Sequence, residues 1–151
     1  MTPFEYALQH YGLFEVARKE NNPKIVAMFT SMHKEWRFSD ATSWCSAFIN
    51  WCCIQARVKG SGRLDARSWL RMGEGVELAD AIPGDVVVFW RGASDHEPIY
   101  AGASLYKGHV GFYINKPDRS GINVFGGNQS DMAKISRYPK NRLLGVRRLE
   151  T

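Results

Sequence analysis

Apolar residues in the first third of the chain recur every three or four positions, whereas from Pro83 onward they fall in short β-branched or aromatic runs bounded by turn residues. The first pattern predicts helices and the second predicts strands. Thr2-Pro3 caps a short helix over Phe4 to His10, and Asn22-Pro23 opens another in which Ile25, Met28 and Phe29 share a face. A third helix is expected from near Ser43 to about Val58, because Trp44, Phe48, Trp51, Cys52 and Gln55 line one side and Gly60-Ser61-Gly62 follows. Strands are expected at Val86 to Trp90, His109 to Ile114, Gly121 to Phe125 and Leu143 to Val146. Lys116 to Gly121 reads as a polar hairpin loop, and Arg91 to Lys107 as a longer insertion bearing glycines and charges. Helices first and an antiparallel sheet afterwards make the chain α+β, a single domain over 1–151 with its helical part to about 80 and its sheet part over about 83–150.

A chain of 151 residues with 44% hydrophobic content can bury one sizeable core. Charges interrupt every apolar run well short of the roughly 18 to 20 residues of a membrane span, so no membrane insertion is expected. The amino terminus, Met1-Thr2-Pro3-Phe4-Glu5, lacks the basic-then-apolar layout of a secretory signal. Synthesis in the cytoplasm is therefore expected, with any target outside reached by lysis or a dedicated secretion machine. A net charge of +5 favours an anionic partner. The basic residues are scattered and not interleaved with aromatics, so nucleic acid is not expected. Three cysteines, two of them adjacent at Cys52 and Cys53, argue against a disulfide framework. No Cys-x-x-Cys pair exists and the four histidines are far apart, so no metal is expected. Nothing requires a cofactor, and a monomer is expected.

Cys45 follows Thr42-Ser43 at the start of the third helix, where unpaired backbone amides and the helix dipole favour a thiolate. The backbone N–H groups of Cys45 and Ser46 are placed to receive the oxyanion of a tetrahedral intermediate. Cys52 and Cys53, in mid-helix, read as small buried hydrophobes. Among the histidines, His109 opens a strand behind Gly108, which permits a close approach, and is the candidate base. His96, in the insertion, is the reserve, while His10 and His33 read as solvated surface residues. The strand after His109 ends in Gly126-Gly127-Asn128-Gln129, which supplies an amide to orient the imidazole: Asn128 first, Gln129 second. The same four residues also read as a plain turn. Trp44, Trp69 and Trp90 are either core or the wall of a substrate groove, in which His96 and Gln129 are further candidates for substrate contact.

Four segments in order, Trp44-Cys45-Ser46-Ala47-Phe48-Ile49-Asn50-Trp51-Cys52, Pro83-Gly84-Asp85-Val86-Val87-Val88-Phe89, Gly108-His109-Val110-Gly111-Phe112-Tyr113 and Gly126-Gly127-Asn128-Gln129, resemble NlpC-type and CHAP-type cell-wall hydrolases. The likeness is greatest to small phage-encoded members with a Trp-Cys-Ser/Ala-Ala-Phe motif, and it covers about Asp40 to Arg148. It implies a papain-like fold with Cys45 as nucleophile, His109 as base and Asn128 as the polar third residue. It also implies hydrolysis of a stem-peptide or N-acetylmuramoyl-alanine amide bond in peptidoglycan. Gly126 departs from the pattern, since many CHAP members carry glutamate there. That leaves the orienting role to Asn128 or to a neighbour such as Gln129 or Asp131. The resemblance suits a phage endolysin or a delivered antibacterial effector, the latter with a cognate immunity protein. Two other readings use the same residues: a wall-binding module without catalysis, and a papain-like enzyme acting on a protein or a small amide.

Overall fold

The computed structural model describes residues 1–15, 22–36, 43–91 and 108–150. Three helices, α1 (Pro3–Leu8), α2 (Pro23–Met32) and α3 (Cys45–Ala56), precede a six-stranded antiparallel sheet. Its strands are β1 (Glu74–Val76), β2 (Val86–Trp90), β3 (Gly108–Tyr113), β4 (Ile122–Gln129), β5 (Met132–Tyr138) and β6 (Leu143–Arg148). They lie in the order β1-β6-β2-β3-β4-β5, so the architecture is α+β. Short 3-10 helices at Ala66–Arg71, Leu78–Asp80 and Lys140–Arg142 fill the connections.

Local chemistry fixes the helix starts. Thr2 and Glu5 form a reciprocal capping box around α1, and Asn22 accepts from the Lys24 N–H ahead of Pro23 at α2. In α3 the expected cap is displaced: Trp44 is the N-cap residue, without a side-chain cap, and Thr42 lies outside the described residues. The helix also stops before Val58, because Arg57 turns left-handed at φ 59° and its N–H returns to the Cys53 and Ile54 carbonyls. Asn50, buried in α3, then holds the Gly60-Ser61-Gly62 loop by accepting from Gly62 N–H and donating to the Arg63 carbonyl.

The sheet is buried on both faces. Val86, Val88, Val110, Phe112, Phe125 and Ala133 join the helix-side core with Ile25, Phe29, Trp44 and Phe48. Val87, Phe89, Tyr113, Ile122, Val124 and Val146 form a second cluster on the opposite face. Strands β3 and β4 pair only at Phe112↔Phe125 and Tyr113↔Val124, and part beyond those pairs. Between β4 and β5 the register shifts from Gly126 to Gln129, and Ser130-Asp131, both at positive φ, close a two-residue turn. Strand β1 falls inside the stretch expected to be helical, and β5 was not foreseen by any hydrophobic alternation.

Asp85 ties the turn before β2 to the end of β6. Its buried carboxylate accepts from the Ile82 N–H and from both Nε and Nη2 of Arg148, at 2.8–2.9 Å. No helix among the described residues is long and apolar enough to cross a membrane.

Candidate active site

Cys45 is the first residue of α3, 3% exposed, and it belongs to the helix-side core. The N–H groups of Val110 and Ser46 and the Ser43 hydroxyl face its sulfur. The nucleophile candidate therefore rests against the residue that follows His109 in β3. This close approach of helix to sheet needs glycine: a Cβ on Gly127 would stand 2.6 Å from the Trp44 ring and 2.9 Å from Cβ of Phe48. Gly108 is equally constrained, since its Cβ would lie 2.9 Å from the Phe89 carbonyl oxygen.

His109 is fully buried and stacks on Tyr138 of β5, with ring centroids 4.7 Å apart and planes 10° from parallel. Tyr138 stacks in turn on Phe89. The orienting bond comes from Gln129, whose Oε1 lies 2.8 Å from His109 Nε2. Gln129 donates both amide hydrogens elsewhere, to the Val124 carbonyl at 3.0 Å and the Lys134 carbonyl at 2.6 Å. Its oxygen must therefore face the imidazole, and Nε2 must carry the hydrogen. Nδ1 is left as the basic lone pair, buried and without a hydrogen-bond partner among the described residues. Gly126 makes room for this arrangement, because a Cβ there would sit 2.7 Å from Gln129 Oε1.

Asn128 takes a different place. It lies in the bulge at φ 59°, and its Nδ2 donates to Ser43 Oγ at 3.4 Å. The residue expected first as the imidazole's partner thus reaches the nucleophile's side, and Gln129 holds the imidazole. The bulge inverts the alternation that placed Asn128 toward β3. Asp131, the other neighbour considered, contributes its carbonyl to the Glu15 N–H.

The electrostatics differ from the expected thiolate. Burial pushes the Cys45 thiol above its ordinary 9.0, against the pull of the Val110 N–H, the Ser43 hydroxyl, the Ser46 N–H and the Arg91 charge. A helix start offers an anion about 0.3–1 kcal/mol, whereas stripping water from a buried charge costs several kcal/mol. Burial likewise lowers His109 from 6.5 to about 4; the Gln129 bond opposes the shift and Arg91 adds to it. The resting pair is a neutral thiol and a neutral imidazole. Burial raises Tyr138 to about 12.

Two aromatic residues considered for a substrate groove are core. Trp44 and Trp69 are fully buried, with their indole N–H groups given to Glu15 Oε1 at 2.9 Å and Ser46 Oγ at 2.8 Å. Gln129 has no amide hydrogen left for a substrate. His96 and the rest of the insertion over 92–107 lie outside the described residues. Cys52 and Cys53 are buried in mid-helix, and burial raises both thiols. His10 is not simply solvated: it sits edge-on to Trp51 and pairs through Nδ1 with the Tyr6 carbonyl at 3.0 Å. Among the described residues, no cluster of His, Cys, Asp and Glu is arranged to hold a metal ion.

Tyr138, Arg91 and the side-chain role of Ser43 escaped the sequence reading. Tyr138 reaches His109 only through a strand pairing that no local pattern announces. Compared with protein-family models and with curated proteins, the chain matches none.

Proposed function

We propose that this chain is a papain-like cysteine hydrolase that cleaves an amide bond in peptidoglycan. The observation that carries the chemistry is the lone pair left on His109 Nδ1 by the Gln129 bond, one residue along β3 from the Val110 N–H that faces the sulfur of a cysteine at a helix start. The peptidoglycan assignment rests on the four-segment resemblance, and the net charge of +5 suits an acidic envelope polymer.

In this mechanism His109 Nδ1 takes the Cys45 proton as the sulfur attacks the amide carbon. Because thiol and imidazole are both neutral at rest, proton transfer and attack are coupled. The oxyanion is received by the N–H groups of Cys45 and Ser46 at the uncapped start of α3. The protonated imidazole, steadied by Gln129, gives its proton to the leaving amine, and the acyl group stays on Cys45 as a thioester. Water then attacks the thioester, with Nδ1 taking one of its protons, and the thiol is restored.

The deep burial of Cys45 and its raised thiol favour one second reading, a module that binds wall fragments without cleaving them. Purified protein and its Cys45→Ala variant, incubated with isolated sacculi, separate the two. Under the hydrolase reading only the unmodified protein releases fragments, and their new termini, read by mass spectrometry, identify the bond. Equal sedimentation of both proteins with sacculi and no released fragment supports the binding module. As a lysin or a delivered effector the protein would act after lysis or secretion, and in the effector case an immunity protein would cover the Cys45 region.

A further inference from the structure

A polar cavity of about 380 Å³ opens beside the His109 anchor, with Gln129 and Tyr138 forming part of its wall. Three arginines, Arg91, Arg137 and Arg142, line it, and no acidic residue does so among the described residues. Arg137 is already engaged by Asp118 and by Asn123 Oδ1. Arg91 and Arg142 form no ion pair among the described residues, although the Arg142 guanidinium lies 4.9 Å above the Trp90 ring. Trp90 is also a wall residue, and its buried indole N–H has no hydrogen-bond partner among the described residues. Unpaired guanidinium charge in one cavity, with an unused donor buried in its wall, calls for an anionic acceptor. The indole of Trp90 stands in contrast to those of Trp44 and Trp69, which are both satisfied.

We propose that this cavity is an anion subsite that takes a free carboxylate of the substrate, with Arg142 and Arg91 supplying charge and the Trp90 indole N–H supplying a directed hydrogen bond. The inference rests on the hydrolase reading for its substrate, and it narrows that substrate to amides with a free carboxylate near the scissile bond. Stem peptides with unamidated carboxyl groups meet that requirement. A carboxylate seated here is held alongside the wall formed by Tyr138 and Gln129, both of which touch His109, and so brings the neighbouring amide to the His109 side of the proposed site.

Two measurements test the subsite, and the first needs no turnover. The Trp90 indole N–H resonance of the Cys45→Ala protein is followed by NMR while acetate, acetamide or inorganic phosphate is added. Saturable movement with acetate and none with acetamide is expected, and Arg142→Gln should weaken the acetate response about tenfold while melting at the unchanged temperature. A response to phosphate but not to acetate, equal responses to acetate and acetamide, or an unaltered response in Arg142→Gln overturns the carboxylate assignment. The second compares cleavage of sacculi whose stem carboxylates are free or amidated. Arg142→Gln should raise KM on the free form alone. Equal cleavage of both forms by the unmodified protein overturns the subsite and leaves the hydrolase reading standing. An acetate response without cleavage of either wall overturns the hydrolase reading and leaves the subsite standing.

Discussion

At the scale of single residues, the candidate site depends on which polar group holds His109. Burial brings the imidazole down from 6.5 to about 4, so between those pH values the unfolded chain binds a proton that the folded chain does not. The folded state therefore loses stability as pH falls from 6.5 toward 4, by up to about 3 kcal/mol, and the loss levels off below that window. Urea unfolding of the unmodified protein and of His109→Asn across pH 4 to 7 measures it; the gap between the two should narrow as pH falls. Gln129 fixes the tautomer, so Gln129→Ala should lower kcat about a hundredfold and disturb the acidic limb of the pH profile. Asn128→Ala, which loses the bond to Ser43 Oγ and strains a left-handed position but leaves the Gln129 bond to His109, should leave that limb in place. Steady-state rates on a released muropeptide substrate read both. The placement of Cys45 at the start of α3 and of His109 just inside β3 was legible because the starts of both elements are recognisable from local pattern. Choosing between Asn128 and Gln129 required the bulge, which depends on three left-handed residues, Asn128, Ser130 and Asp131, that carry no glycine signal.

At the scale of elements, helix α3 approaches the sheet through glycine. Gly127→Ala would push a methyl group into Trp44 and Phe48, at a cost of about 1–3 kcal/mol, and would move the nucleophile with the displaced helix start. Thermal unfolding and sacculus cleavage should both fall in this variant. The helices were readable because Thr2, Asn22 and the spacing of Ile25, Met28 and Phe29 are local signals. Strand β2 was readable as an unbroken apolar run buried on both faces. Strand β5 was not, because Lys134, Ser136 and Arg137 give an edge strand a largely polar surface. Its turn, Ser130-Asp131, adopts positive φ twice without the Asn-Gly pair that usually marks such a hairpin. The missed strand carries Tyr138, so the aromatic support of His109 was missed with it.

Across the whole molecule, residues far apart in sequence close the structure around one end of β3. Asp85, after the turn that leads into β2, holds Arg148 at the end of β6, and Arg147 holds the carbonyls of Met72 and Gly73. Arg148 is 39% exposed, which screens the pair, but Asp85 is only 3% exposed and also satisfies the Ile82 N–H. Asp85→Asn should therefore destabilise the fold by about 2 kcal/mol, seen as a lower urea midpoint with an unchanged slope. The class of the fold was readable from the order of its elements, whereas the long-range ties were not, because an aspartate in a turn and an arginine near the chain end carry no mark of each other. The hydrolase reading turns on a thioester formed on Cys45 during amide cleavage. Acid quenching of the protein within its first turnovers on a released muropeptide, followed by peptide mass mapping, tests this most directly. A mass increase equal to the acyl fragment, confined to the peptide containing Cys45 and absent in Cys45→Ala, is the predicted result; cleavage retained in Cys45→Ala with no adduct would contradict it.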